Sequence, residues 1–345
     1  MLQIKNIDTV TLKSLSWMLL AGYAAYIFFK SPGMCRCSRM LNDRVILITG
    51  GTSGIGKALS IELAKRGAQI ILACKDVEKG VRTKFEIQGQ VHNKESKVYV
   101  MYLDLCKFSS ISKFSIECSK KFTKIDGLVN NAAVFCNSTS LTEDGFEIMR
   151  QANYYGHFLL LEDIMNLLRK SDDCRIVNVS GEEHRTIKNM QQLLLLSLSQ
   201  QVSKNDDPYL IYAVTKLALI LLTKKLAESF KREPGRITTN AVNPGVVDTL
   251  IFRNLYLLRN PFLWRSIIQS PRLGAQAILH CLLKPDNFTG QYSTGCERGV
   301  PIQFSYKKKI FQYYYYLSQR TLHRFLKEKD WDRLYLDNYG WYLDQ

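Results

Sequence analysis

Apolar runs of three to seven residues alternate with longer stretches of helical period from Arg44 onward. Val45–Thr49, Ile70–Ala73, Val98–Leu103, Leu128–Asn130, Ile176–Ser180 and Ile237–Asn243 read as buried strands. Between them, Lys57–Lys65, Ser109–Lys121, Phe146–Leu168 and Leu210–Phe230 have the length and spacing of helices. Continuous apolar strands separated by helices predict an α/β fold in which a doubly wound parallel sheet is covered on both faces. No internal repeat or long linker interrupts the pattern, so residues 41–300 read as one domain.

Both ends depart from that pattern. Ser14–Phe29 is uncharged and bounded by Lys13 and Lys30, with Trp17 and Tyr26 at positions that suit an interface. Residues 1–40 are therefore expected to carry a membrane-anchor helix, slightly shorter than a full span of roughly 20 residues. No small-x-small cleavage site follows Phe29, which argues against a signal peptide. The positive charges downstream of the segment place the domain on the cytoplasmic side. That points to the endoplasmic reticulum membrane, with a mitochondrial membrane as the second location. Beyond residue 300, Lys307–Lys309 precedes Ile310, Phe311, Tyr314, Leu317, Leu322, Phe325 and Leu326 at helical spacing. This 301–345 extension reads as an amphipathic helix that either lies on a membrane or packs its stripe on the domain.

Charge and cysteine content narrow the class. The 345 residues carry a formal charge of +16, which would suit nucleic acid, a negative membrane or a phosphorylated cofactor. It is spread along the chain, with +4 in residues 1–44, +3 in residues 301–345 and +9 between. No nucleic-acid module or zinc spacing accompanies it, so nucleic acid is not an expected partner and no metal site is expected. Nine irregularly spaced cysteines suit a reducing compartment rather than a disulfide framework. Cys35 and Cys37, beside the anchor segment, are candidates for palmitoylation. A luminal domain is the topological rival, since Asn137 and Asn287 head glycosylation sequons. Asn178 does too, inside an expected strand, so sequons decide little.

Thr49-Gly50-Gly51-Thr52-Ser53-Gly54-Ile55-Gly56 follows a strand and opens a helix. Glycines at such a turn let the backbone approach a pyrophosphate held at the helix N-terminus. Gly50, Thr52, Ser53, Gly54, Ile55 and Gly56 are accordingly the cofactor cradle. About 20 residues on, where an acid would meet a ribose hydroxyl, the second strand ends in Cys74-Lys75-Asp76. Lys75 is placed to meet a 2′-phosphate, so NADP(H) is preferred, and the adjacent Asp76 keeps NAD(H) open. Asp104 and Asn131 follow later strands at the sheet edge where ligands bind.

Tyr212 and Lys216, at i and i+4, share one helix face. A phenol is a poor base at neutral pH, and a neighbouring ammonium lowers its pKa toward a useful range. With the glycine turn upstream, the chain resembles the short-chain dehydrogenase/reductase family, and within it the retinol dehydrogenase-like branch. The resembling segments are TGGTSGIG, LACKDVEKG, NNAA, QANYYGHFLLL, NVSGEEH, YAVTK, AVNPGVVDT and TGQYSTGCERGVP, in family order. The resemblance implies a Rossmann-type fold. It makes Tyr212 the proton donor or acceptor, gives Lys216 the nicotinamide ribose, and has Asn153 support a proton relay. Pro244, Gly245 and Val247 would border the nicotinamide.

One position departs. The family's catalytic serine is the second of NVSS, and that place is Gly181, with Ser180 beside it. Alternation along a strand turns neighbouring side chains to opposite faces. Ser180 thus needs a shift of register to serve, and Glu182 or His184 are other candidates. The expected function is a membrane-anchored oxidoreductase interconverting a lipophilic, retinoid- or steroid-like alcohol and its aldehyde or ketone. The alternative is a cofactor-binding protein of weak or no turnover. A lipophilic small molecule and the membrane are the expected partners, and a homodimer is left open.

Overall fold

The computed structural model describes residues 33–91, 97–198, 206–231, 237–245, 247, 269–284 and 288–328. Among them are eight strands: β1 (Val45–Thr49), β2 (Gln69–Cys74), β3 (Val98–Tyr102), β4 (Gly127–Asn130), β5 (Cys174–Val179), β6 (Ile237–Asn243), β7 (Tyr292–Thr294) and β8 (Glu297–Arg298). They form one sheet in the order β3-β2-β1-β4-β5-β6-β7-β8, parallel except for the short β7–β8 hairpin. The order reverses direction between β1 and β4, and in such sheets a crevice opens there at the carboxyl edge. The expected doubly wound parallel sheet is what this chain forms.

Among the described residues nine helices cover it: α1 (Gly54–Lys65), α2 (Val77–Gly89), α3 (Phe108–Lys121), α4 (Gly156–Asp163), α5 (Met165–Arg169), α6 (Met190–Leu198), α7 (Pro208–Phe230), α8 (Pro271–Leu283) and α9 (Lys308–Glu328). Each strand serves both layers by alternation. Leu47 of β1 faces the layer of α3, α4, α7 and α9, while Ile46 and Ile48 face that of α1 and α8. α7 is apolar nearly all round, as its central place between sheet and outer helices requires. It starts with Asp207 capping the Tyr209 amide and Pro208 in its first turn.

Two expectations are refined and one open alternative is decided. Phe146–Leu168 is helical from Ile148 onward, but it widens at Gln151–Tyr155 and is interrupted at Ile164, between α4 and α5. α2 and α8 lie where no helix was expected, although Asp76 and Ser270-Pro271 are sound starting signals. Of the two readings of the 301–345 stripe, packing on the domain is the one α9 takes. Phe311, Tyr314, Leu322 and Leu326 are buried in the main core, and Tyr154 Oη donates to Ser318 Oγ at 2.9 Å. Among the described residues no helix is long and apolar enough to cross a membrane. The expected anchor, Ser14–Phe29, lies outside the described residues.

Candidate active site

The turn after β1 is shaped by close approach. Gly50 has φ +65°, and a Cβ on Gly56 would strike the Gly50 carbonyl oxygen and lie 2.7 Å from Asn131 Nδ2. That amide donates to the carbonyl oxygens of Thr49 (2.9 Å) and Gly50 (3.3 Å), locking the exit of β4 against the turn. Thr49 Oγ1 accepts from the amides of Asn131 and Ala132, both at 3.0 Å, and lies 2.9 Å from His157 Nε2. Ser53 makes no side-chain cap at the start of α1, and no acid lies in its first turn. Its amides are left for an anion, so the residues fit a dinucleotide pyrophosphate.

At the ends of β2 and β3, Lys75 Nζ is 3.0 Å from the buried carboxylate of Asp104. The Asp104 hydrogen bond and charge hold the ammonium above its ordinary pKa, so it stays cationic. Asp76 caps α2, accepting from the Lys79 amide at 2.8 Å. After β6, Gly245 takes φ +83° and its amide donates to Asn243 Oδ1, while buried Val247 bridges to Gln269. Pro244, Gly245 and Val247 thus follow β6 at the carboxyl end of the sheet.

Tyr212 and Lys216 lie on the first turns of α7 with the Lys216 ammonium 5.2 Å from the Tyr212 ring centre. Lys216 Nζ donates to the Val179 carbonyl at 3.1 Å, pinning α7 to the end of β5. Burial lowers its pKa to about 8, against the opposing charge of Glu183. Burial, then Glu183, then Tyr209 hold the Tyr212 phenol well above its ordinary range. Val134, Phe135, Met149 and Ile211 surround the Tyr212 ring. Asn153 is fully buried in the wide turn, where its amide exchanges hydrogen bonds with the Val134 main chain (2.8 and 3.0 Å). Turns of this type concentrate at functional sites.

Ser180 does not serve as a second hydroxyl. Its Oγ donates to the Lys216 carbonyl at 2.8 Å and the residue is buried, so strand alternation turns it onto α7. Glu182 and His184 are also committed. Glu182 accepts from Asn243 Nδ2 (3.0 Å) and Tyr292 Oη (3.1 Å) and pairs with Arg185. His184 Nε2 accepts from the Ile302 amide at 3.1 Å. Sequence reasoning passed over Thr49, His157 and Glu183, the last of which fills the space above Gly181.

The short chain dehydrogenase family profile matches residues 44–189. Human retinol dehydrogenase 12 is 36% identical over 294 residues, covering 81% of this chain and 89% of the relative. Mouse retinol dehydrogenase 13 is 34% identical over 283 residues, covering 79% and 82%. Among solved structures, an uncharacterized protein from Mycobacterium paratuberculosis superposes with TM-score 0.65 at 25% identity, over 84% of this chain and 97% of that one. A Shigella flexneri short chain dehydrogenase complexed with NADP superposes with TM-score 0.59 at 21% identity, over 75% and 99%. Strand order, glycine turn and relatives converge on one conclusion: the chain belongs to the short-chain dehydrogenase/reductase family, in its retinol dehydrogenase-like branch.

Proposed function

We propose that this oxidoreductase is NADP(H)-dependent and interconverts a lipophilic alcohol and its aldehyde or ketone, with a retinoid or steroid as the substrate class. The observation that carries the reading is the buried Tyr212–Lys216 pair, pinned to the end of β5 and packed against an apolar wall. When bound, the nicotinamide supplies or accepts a hydride at its C4. Gly50, Thr52, Ser53, Gly54, Ile55 and Gly56 hold the pyrophosphate, and the cationic Lys75, steadied by Asp104, meets the 2′-phosphate. Asn131 keeps the turn in shape, while Pro244, Gly245 and Val247 border the nicotinamide. Lys216 binds its ribose and Tyr212 exchanges a proton with the substrate oxygen. Asn153 positions the chain around Tyr212.

Ser14–Phe29 anchors the protein, with the domain toward the cytosol at the endoplasmic reticulum. The second reading, weak or absent turnover, is favoured by Gly181, because a polarising hydroxyl at a reacting oxygen is worth a few kcal/mol. One panel separates the two: purified protein, NADPH or NADH, and all-trans-retinal or a ketosteroid, with Tyr212→Phe and Gly181→Ser. Turnover that falls by about 100-fold or more in Tyr212→Phe supports the enzyme. NADPH binding without turnover, with activity gained in Gly181→Ser, overturns it. Activity unchanged in Tyr212→Phe refutes the assigned mechanism.

A further inference from the structure

His157 is a polar residue at the start of an apolar helix. Phe158, Leu159, Leu160 and Leu161 follow it on α4, all buried in the main core, and the imidazole itself is fully buried. A polar ring in such a place costs stability unless its nitrogens are bonded, and a leucine there would carry no such requirement.

Both nitrogens are bonded, one to each side of the site. The Asn153 carbonyl oxygen, 3.1 Å from Nδ1, can only accept, so the ring proton is on Nδ1 and Nε2 is left to accept. Thr49 Oγ1 stands 2.9 Å from Nε2, its proton shared between this nitrogen and the Val129 carbonyl. From Thr49 the chain of bonds runs to the cofactor side. Thr49 Oγ1 accepts from the amides of Asn131 and Ala132, and Asn131 Nδ2 donates to the carbonyls of Thr49 and Gly50 in the glycine turn. From Asn153 it runs to the tyrosine side. Asn153 Nδ2 donates to Thr215 Oγ1 at 3.4 Å, and Thr215 Oγ1 donates to the Tyr212 carbonyl at 2.7 Å. The Asn153 amide also holds the Val134 main chain, and Val134 and Phe135 pack on Tyr212, with the Phe135 ring edge-on at 5.5 Å. Thr49, His157, Asn153 and Thr215 are all buried, and a buried network with its bonds made holds one geometry.

We propose that His157 is a positioning residue that joins the cofactor turn to the helix carrying Tyr212, and so sets the spacing between hydride and proton transfer. The proposal rests on the oxidoreductase reading above. Hydride and proton must meet one carbonyl group from two places, the dinucleotide on the glycine turn and the Tyr212 hydroxyl on α7. A misplacement of about 1 Å between them costs on the order of 100-fold in rate.

Two substitutions each reproduce one nitrogen. His157→Asn keeps a donor near the Nδ1 position for the Asn153 carbonyl and cuts the link to Thr49. His157→Gln keeps an acceptor near the Nε2 position for Thr49 and cuts the link to Asn153. With the purified full chain, NADPH and all-trans-retinal or a ketosteroid, His157→Asn is expected to raise the NADPH Kd about 5-fold and to keep kcat within about twofold of wild type. His157→Gln is expected to lower kcat by about 10-fold or more and to keep the NADPH Kd within about twofold. A residue that only fills space would move both parameters together or neither. Hydrogen exchange of the cofactor-free proteins reads the same links without turnover. It should quicken over residues 49–56 in His157→Asn and over residues 208–216 in His157→Gln. Far-ultraviolet circular dichroism checks folding. Thr215→Val cuts the chain beyond Asn153 and takes the place of His157→Gln, with the same expectations, should that variant not fold. Kinetic parameters that do not separate, or exchange that quickens in the same segments in both variants or in neither, overturn the proposal. A protein that binds NADPH and reduces no carbonyl fails the functional reading, while the exchange experiment still decides this one.

Discussion

Lys75 Nζ stands 3.0 Å from Asp104 Oδ2, joining the ends of β2 and β3 at the carboxyl edge of the sheet. The lysine is largely exposed and the aspartate is buried, so the pair presents a steadied cation to solvent. Lys75→Ala is expected to weaken NADPH binding by roughly 5- to 10-fold while leaving NADH nearly unchanged. The gap should narrow as salt rises, because an exposed cation is screened. Fluorescence titration with both dinucleotides at low and high salt measures it. Equal losses for the two would show that Lys75 does not read the 2′-phosphate.

Thr49 Oγ1 accepts two amide hydrogens, from Asn131 and Ala132, and its one proton is shared between His157 Nε2 at 2.9 Å and the Val129 carbonyl at 3.3 Å. This hydroxyl ties β1 to the exit of β4 beneath the glycine turn. Thr49→Val keeps the shape and orphans two part-buried donors, at a cost of about 1–3 kcal/mol. Thr49→Ser keeps the hydroxyl and should cost about 1 kcal/mol or less. Urea unfolding of both variants decides the matter, and a Thr49→Val loss below that of Thr49→Ser would show that the hydroxyl does not hold the turn.

His157 is fully buried, with Nδ1 3.1 Å from the Asn153 carbonyl oxygen, so it is neutral with its proton on Nδ1. Burial lowers its pKa to about 4, against an unfolded value near 6.5. As pH falls below 6.5 the unfolded chain takes up a proton that the folded one refuses until about pH 4. Stability should therefore drop across that window by about 3 kcal/mol from this group. His157→Gln should lose that part of the slope in denaturant titrations between pH 4 and 7. An unchanged slope would mean the imidazole titrates alike in both states.

Much of this is legible in the amino-acid pattern alone. β1 to β6 announce themselves as apolar runs between turn residues, and Tyr212, Lys216 and Gly50–Gly56 stand at readable spacings. The wide turn within Phe146–Leu168 is not legible. It holds Asn153, which bonds to the Val134 main chain, a partner nineteen residues away that no local pattern marks. Strand alternation already turns Ser180 away from its neighbour's face in the sequence. Glu183 escapes such a reading, because its seat depends on how the turn after β5 folds back. The stripe of α9 is legible as a stripe, but its covering surface, Tyr154 and Phe158 of the wide turn and α4, is a tertiary fact.

That covering surface carries its own pH dependence. Glu162 on α4 accepts from Gln319 Nε2 of α9 at 3.0 Å, with the Tyr315 hydroxyl also against it. Burial, with the charge of Asp163, raises its pKa to about 8 in spite of those two bonds. Between roughly pH 4, where an unfolded glutamate ionises, and pH 8, the unfolded chain has released a proton that the folded one keeps. A raised carboxyl pKa therefore makes stability fall as pH rises through that window and level off above it. Glu162→Gln keeps an acceptor for Gln319 and removes the ionisation. The variant should match wild type near pH 4.5 and exceed it by about 2 kcal/mol or more at pH 8. Paired thermal melts at the two pH values measure the difference. A gain of equal size at both would place the effect in packing rather than in the proton that α9 traps on Glu162.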